Sequence, residues 1–289
     1  MRDDLGFAGV LGWPLGHTLS PAIHNAAFRE LALDWVYLAF PVPPAALGAA
    51  VGGLRALGCM GANVTMPHKE TVMEHLDEVS GDAGAVEAVN TIERVGDELV
   101  GRNTDVDGFE QFLLTEVGYS MEGREALVLG AGGAARAVVR ALDDLGAGLI
   151  VVAARRDEEA ARAARVASLR PATTVGFERA GQAAGSADVV VNATPLGMDG
   201  RSDPVPGAAF RRGQVVVDLI YEPPSTPLIE RARAAGADAW GGLGMLVRQA
   251  AGSFRIWTGR DAPIEIMSAA AVRAIGRRGH VDRSPGAPE

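Results

Sequence analysis

The chain has 289 residues, of which 48% are hydrophobic and 22% charged, and its net charge is −9. That size and make-up suit a soluble protein of two domains, and the acidic balance argues against nucleic-acid binding, which calls for a basic domain. Cys59 is alone, which excludes an internal disulfide and a cysteine-built zinc site and suits a reducing cytoplasm. No apolar run reaches the roughly 18 residues of a membrane span, and Met1-Arg2-Asp3-Asp4 does not begin a signal peptide.

A strand predicted over 7–13 leads into the loop P-L-G-H-T-L-S (14–20), and Pro21 starts a helix to about residue 31 with Ser20 as its N-cap. A second strand covers 35–40, a helix 44–57 and a third strand 61–64. Pro67 then opens a helix, which puts Lys69 in its first turn just past a strand, where open α/β sheets place their ligands. Lys69 is the only lysine among 27 lysines and arginines. A guanidinium keeps its proton throughout the working pH range and an ammonium need not, so a group that serves as both cation and base must be Lys. The plainer alternative is a surface residue that escaped a general Lys-to-Arg bias.

The run A-V-N-T (88–91) enters a hairpin of 91–94 and 99–102 that turns at Gly96-Asp97. Asn103-Thr104-Asp105 follows, and an amphipathic helix over 107–117 crosses into a second domain; Asp105 can serve there as a helix cap. A strand over 125–129, the run G-A-G-G-A-A (130–135) and a helix to 145 match a dinucleotide fingerprint in its required strand–turn–helix setting. Gly130, Gly132, Gly133, Ala134 and Ala135 are the candidate pyrophosphate residues. The next strand, 149–153, ends at Ala154-Arg155-Arg156-Asp157. Two guanidinium groups there can clamp a 2′-phosphate, which favours NADP, while Asp157 keeps NAD open through a ribose hydroxyl. Residues 155–166 form a surface helix, 188–191 a strand ending in N-A-T-P-L-G-M (192–198), and 215–219 another strand followed by Tyr221 and a helix over 226–235. Parallel strands separated by helices predict a doubly wound sheet. Gly241-Gly242-Leu243-Gly244 breaks the pattern as a hinge before a helix over 245–258, and the tail from Gly276 is expected to be disordered.

The segments 14–21, N-V-T-M-P-H-K-E (63–70), 88–91, 103–105, 130–135, 192–198 and G-L-G-M-L-V-R-Q-A-A-G-S-F-R-I-W-T-G (242–259) together resemble the shikimate dehydrogenase family, which includes quinate dehydrogenases, over residues 9–267. The resemblance implies an α/β fold of two domains. One is a discontinuous substrate domain of residues 1–105 and 242–289; the other is a Rossmann-like nucleotide domain, 106–241, with a doubly wound parallel sheet. It implies Lys69 and Asp105 as the catalytic pair, and Thr18 and Ser20 as contacts for a substrate carboxylate. Thr65, Asn90, Asp105 and Gln249 fall on contacts for ring hydroxyls, and Tyr221 on a tyrosine that reaches toward the substrate. Thr194 and Gly242 join the glycine-rich turn, Arg155 and Arg156 as cofactor residues.

The implied reaction is the reversible NADPH-dependent reduction of 3-dehydroshikimate to shikimate, a cytoplasmic step of aromatic amino acid biosynthesis toward chorismate. The substrate class is a small polyhydroxy cyclohexene carboxylate, with no nucleic-acid or membrane partner, and both monomer and homodimer stay open. Thr18 stands where the family usually has serine, which leaves quinate or an aminoshikimate open. The Arg155-Arg156-Asp157 run resembles the branch that takes both nucleotides. A methylene-tetrahydrofolate dehydrogenase is a rival that leaves Thr18, Ser20 and Gln249 unexplained, and a non-enzymatic ligand sensor is another that has no need of Lys69 and Asp105. His17, His24, His68 and His75 lie on different predicted elements and are not expected to form a metal site. His17 is expected to shape the loop bearing Thr18 and Ser20.

Overall fold

The computed structural model describes residues 6–16 and 18–281, so the expectations for His17 and for residues 282–289 lie outside the described residues. In chain order the elements are β1 (Gly6–Gly12), α1 (Ser20–Glu30), β2 (Trp35–Pro41), α2 (Leu47–Ala56), β3 (Gly61–Val64), β4 (Glu78–Val79), α3 (Gly81–Ala85), β5 (Thr91–Val95), β6 (Glu98–Arg102) and α4 (Asp105–Phe112). They continue with β7 (Glu125–Leu129), α5 (Gly133–Asp144), β8 (Leu149–Ala154), α6 (Asp157–Ala164), β9 (Ala172–Gly176), α7 (Ala180–Ser186), β10 (Val189–Asn192), β11 (Val215–Asp218), α8 (Pro227–Ala234), β12 (Asp238–Gly241), α9 (Leu243–Thr258) and α10 (Ile264–Val281). The chain is α/β and divides into two compact units. The first is Met1–Ser80, Val89–Thr104 and Ala250–Glu289; the second is Gly81–Ala88 and Asp105–Gln249.

The first unit is built on a six-stranded mixed sheet, β2-β1-β3-β5-β6-β4. β1 pairs in parallel with β2 and β3, and the hairpin β5–β6 runs antiparallel to β3. Parallel pairing requires crossovers, and α1 and α2 supply them. All four residues of β3 are buried, so the run G-A-N-V reads as a central strand although it carries an asparagine. α1 packs against α10, which continues through Gly276 to Val281. The tail is therefore helical up to Val281 instead of irregular from Gly276, because the packing of α10 on α1 outweighs its glycines and arginines.

The second unit holds a wholly parallel sheet in the order β12-β11-β10-β7-β8-β9. Alternate residues of its strands face opposite sides. Ala126, Val128, Val189, Val191, Val215 and Val217 meet α4 and α5 on one face, while Leu127, Leu129, Val190 and Val216 meet α7 and α8 on the other. Both faces are covered, as continuous apolar strands require. The strand order reverses between β7 and β10, so the crevice beyond their carboxyl ends is the place a ligand is expected.

The units differ from the sequence boundaries in three places, the smallest being Asp105, which falls in the second unit as the first residue of α4. Gly81–Ala88 belongs to the second unit because Val86 and Ala88 enter its core. Residues 242–249 do so as well, with Met245 in the same core, so α9 begins in one unit and ends in the other. The helix expected over 107–117 is α4 followed by a π-helical stretch, Leu113–Val117.

α4 turns Phe109 and Phe112 into the core and leaves Glu110 half-buried. Burial, with the Asp107 and Asp144 carboxylates nearby, pushes Glu110 up to about 7, partly opposed by Arg140. Between its ordinary value of 4.5 and about 7 the folded chain keeps a proton that the unfolded chain has lost. Stability therefore falls as pH rises through that window. Glu110→Gln is expected to remove this component. Melting curves should place the variant above the parent at pH 8 and level with it near pH 4.

Candidate active site

In the first unit β1 ends at Gly12 and the chain turns toward α1. The Thr18 N–H donates to Leu15 O at 3.3 Å, and Thr18 Oγ1 accepts from the Ser20 N–H at 3.3 Å. Leu19 is the N-cap and makes no side-chain cap bond, so Ser20 is the first residue of α1 and not its cap as expected. Two hydroxyl groups thus lie at the amino end of an 11-residue helix, where the helix dipole favours a negative charge.

Lys69 follows β3, but no α-helix begins at Pro67. Residues 65–70 form turns with a cis Met66–Pro67 bond, and a 3-10 helix occupies Thr71–His75. The backbone there makes one local turn bond and is tied at both ends to other parts of the first unit. The Thr65 N–H donates to Leu11 O (2.9 Å), the His68 N–H to Thr65 O (2.9 Å), and Lys69 O accepts from the Val89 N–H (2.8 Å). His68 is buried with Nε2 2.7 Å from Val42 O, so it anchors the turn that carries half-buried Lys69 and Thr65.

Asn90 is buried one residue beyond Val89. Its Oδ1 accepts from the Thr104 N–H at 2.8 Å, and its Nδ2 donates to Thr104 Oγ1 at 3.0 Å. Behind it stands a polar network that the sequence did not single out. The Tyr37 hydroxyl donates to Asn63 Oδ1 (2.7 Å), and Asn63 Nδ2 donates to Ser253 Oγ (2.8 Å). Ser253 Oγ lies 2.8 Å from Thr91 Oγ1. Burial holds the Tyr37 hydroxyl well above its usual titration range, so it stays a donor. The available signal was the asparagine in an otherwise apolar strand, since a buried amide demands partners.

His24 and Cys59 are buried in the first unit. His24 is buried and stacked on Tyr37 at 4.3 Å, and burial lowers its pKa to about 3, so its ring is neutral. Burial likewise pushes the Cys59 thiol up to about 11. Among the described residues no group of three or more His, Cys, Asp or Glu is placed to hold a metal ion, and no helix is long and apolar enough to cross a membrane.

In the second unit Gly130 leaves β7 with φ +107, and a Cβ there would stand 3.0 Å from Ala193 O. Both the left-handed backbone and the close approach to the β10 loop call for glycine. Gly132 is the N-cap of α5 and is exposed, with nothing within 4 Å of where a Cβ would be. Gly133, Ala134 and Ala135 form the first turn of that helix. Across the crevice, Asn192 Oδ1 accepts from Thr194 N–H (3.0 Å) and Oγ1 (2.7 Å). Asn192 Nδ2 donates to buried Asp218 Oδ1 (3.0 Å), which also accepts from the Ile220 N–H (3.1 Å). These bonds fix the two loops that carry Thr194 and half-buried Tyr221. Arg155 and Arg156 are exposed beyond β8; Arg156 pairs with Glu159, and Asp157 opens α6.

The structure therefore gathers Thr18, Ser20, Thr65, Lys69 and Asn90 on the first unit. It gathers the glycine-rich turn, Arg155, Arg156, Thr194, Tyr221 and Gly242 on the second. Asp105, 4% exposed, is the first residue of α4, and Gln249 lies on α9 with Nε2 donating to Leu246 O at 2.8 Å; both belong to the second unit.

Residues 10–92 match the shikimate dehydrogenase substrate binding domain, residues 113–197 the shikimate / quinate 5-dehydrogenase domain, and residues 242–272 the shikimate 5′-dehydrogenase C-terminal domain. The chain is 44% identical to the shikimate dehydrogenase (NADP(+)) of Methanothermobacter thermautotrophicus over 93% of its own length and 96% of the relative's. It is 49% identical to that of Salinibacter ruber over 88% and 92%. The structure of shikimate 5-dehydrogenase from Thermus thermophilus in complex with NADP(H) and shikimate superposes with a TM-score of 0.84, at 39% identity, over 93% of this chain and all of that one. A two-unit α/β fold, a reversed parallel sheet with a glycine turn at its switch point, and relatives this similar over nearly the whole length lead to one conclusion: the chain belongs to the shikimate dehydrogenase family.

Proposed function

We propose that the protein is a cytoplasmic NADP-dependent shikimate dehydrogenase that reversibly reduces 3-dehydroshikimate to shikimate, serving aromatic amino acid synthesis. What carries this reading is that the sole lysine lies in the N-V-T-M-P-H-K-E turn beyond β3, on the unit that also bears Thr18, Ser20 and Asn90. The first unit is accordingly the substrate domain and the second the nucleotide domain. The second unit suits a dinucleotide: a glycine turn that a Cβ would crowd, an exposed helix start with open space above it, and two exposed guanidinium groups after β8. Arg155 and Arg156 would hold the 2′-phosphate of NADP, and Thr194 and Gly242 would border the nicotinamide end.

When bound, the reduced nicotinamide supplies the hydride. The carbonyl oxygen of the substrate then gains charge and needs a proton. Lys69 as the ammonium gives that proton, and in the oxidation neutral Lys69 takes the hydroxyl proton back. Asp105 is the carboxylate assigned to the same step by the family resemblance, as acceptor for a ring hydroxyl of the substrate. Thr18 and Ser20 bind the carboxylate at the start of α1, and Asn90, Thr65, Gln249 and Tyr221 bind the remaining polar groups.

The test is an assay at about 340 nm, where the reduced cofactor absorbs, with shikimate and quinate each against NADP and NAD. Shikimate with NADP is expected to exceed every other pair by about tenfold or more in kcat/KM, a margin that one or two lost hydrogen bonds produce. No turnover with any pair, alongside tight ligand binding, would show a sensor instead.

A further inference from the structure

Arg136 lies on the second turn of α5 and is only 2% exposed, although a guanidinium is the most persistent charge a protein carries. Three of its donors meet main-chain carbonyls: Nε to Val86 O at 2.7 Å, Nη2 to Glu87 O at 2.9 Å, and Nη1 to Ala131 O at 3.1 Å. For packing alone an apolar side chain would serve at least as well, because a buried charge is costly even when its donors are used. What the guanidinium adds is direction.

We propose that Arg136 is a positioning residue for the cofactor, locking the Ala131–Gly132 peptide so that the Gly132 N–H is presented to the pyrophosphate. This rests on reading the amino end of α5 as the pyrophosphate site. The carbonyl of Ala131 and the N–H of Gly132 belong to one planar trans unit and point in opposite directions. Holding the carbonyl on the buried guanidinium therefore aims the N–H away from it, and Gly132 is exposed with open space beside it. If that peptide turned over, the carbonyl oxygen would face the phosphates and repel them. The buried positive charge also adds to the partial charge at the helix start.

The same fork fastens a second element. Glu87, in the left-handed region at φ 50, gives its carbonyl to Arg136 and its carboxylate to Arg162 of α6. The segment ending at Ala88 is thus pinned to both helices that follow the first two strands of the nucleotide sheet. One side chain sets the glycine-rich turn and the backbone beside it.

The experiment measures Kd for NADPH and for 2′-AMP, which keeps the adenosine 2′-phosphate and lacks the pyrophosphate, on the parent chain, Arg136→Met and Arg136→Lys. Arg136→Met is expected to weaken NADPH by about tenfold or more and 2′-AMP by less than about twofold, since the lost interaction bears on the pyrophosphate alone. KM for shikimate should stay within about twofold. Arg136→Lys keeps the charge but cannot span three carbonyls, so it should stay clearly impaired toward NADPH. Equal weakening of both ligands, or a lysine variant that binds NADPH as the parent does, would overturn the proposal. Should the methionine variant not fold, the NADPH-to-2′-AMP ratio of the lysine variant decides alone. A parent chain that binds no NADPH would instead defeat the reading of the cofactor site itself.

Discussion

Replacing Lys69 with alanine is expected to lower kcat for shikimate oxidation by roughly 10²–10⁴ with KM for shikimate within about threefold. That range corresponds to about 2.7–5.5 kcal/mol of transition-state stabilisation. The turn around Lys69 is held by its backbone and by buried His68: Lys69 O accepts from the Val89 N–H, and His68 Nε2 lies 2.7 Å from Val42 O. Truncation should therefore leave the fold and the substrate contacts in place, and the melting temperature should move by no more than about 2 °C. Lys69→Arg is the sharper variant. It preserves the charge, so a merely electrostatic role would leave it active. A guanidinium cannot yield a proton near neutral pH, so a proton-transfer role makes it nearly as slow as alanine. Single-turnover rates of nicotinamide reduction with saturating shikimate separate the two, because product release does not contribute to them. An arginine variant within about tenfold of the parent would reduce Lys69 to an electrostatic role.

What the sequence could convey depended on how local the determining contacts were. β7, β8, β10 and β11 are short apolar runs closed by loop residues, and G-A-G-G-A-A has its strand before and its helix after, so the nucleotide sheet was legible from neighbours in the chain. The turn at Lys69 was not. Pro67 is a common first helical residue, yet the backbone there bonds to Leu11 and Val89, one from a different strand and the other 20 residues on. The placement of Gly81–Ala88 was hidden for the same reason, since the side chain that holds Val86 lies 50 residues later. The network behind Asn90 depends on Ser253, 190 residues beyond Asn63. Periodicity finds elements; it does not find the partners that buried polar groups acquire on folding.

Gly242→Ala is expected to destabilise the second unit and weaken nucleotide binding, whereas Gly241→Ala is expected to be tolerated. The two glycines are adjacent, and neither has the positive φ that would itself demand glycine. They differ in what stands above them. A Cβ on Gly242 would lie 2.1 Å from Leu219 O, 2.4 Å from Leu219 C and 2.9 Å from Leu219 Cα, all backbone atoms. No rotamer can relieve that, so the loop after β11 must shift, or the chain entering α9 must lift away. Either move strains the 3.0 Å bond from the Gly242 N–H to Ile220 O and the 3.0 Å bond from the Leu219 N–H to Asn192 O. Asn192 is the residue that holds Thr194, and Tyr221 follows Ile220, so the disturbance reaches both loops of the crevice. Overpacking of this kind costs about 3 kcal/mol, or roughly 6–12 °C in melting temperature for a unit of this size. On Gly241 the nearest atoms are Ile220 O and Pro224 O, both at 3.6 Å, an ordinary contact distance. Alanine there should change stability by no more than about 0.5 kcal/mol, since lower chain entropy in the unfolded state offsets small losses. Calorimetric melting of both variants with and without NADPH reads the outcome. Equal melting temperatures for the two variants would mean that the close passage of Gly242 over Leu219 does not constrain the nucleotide unit.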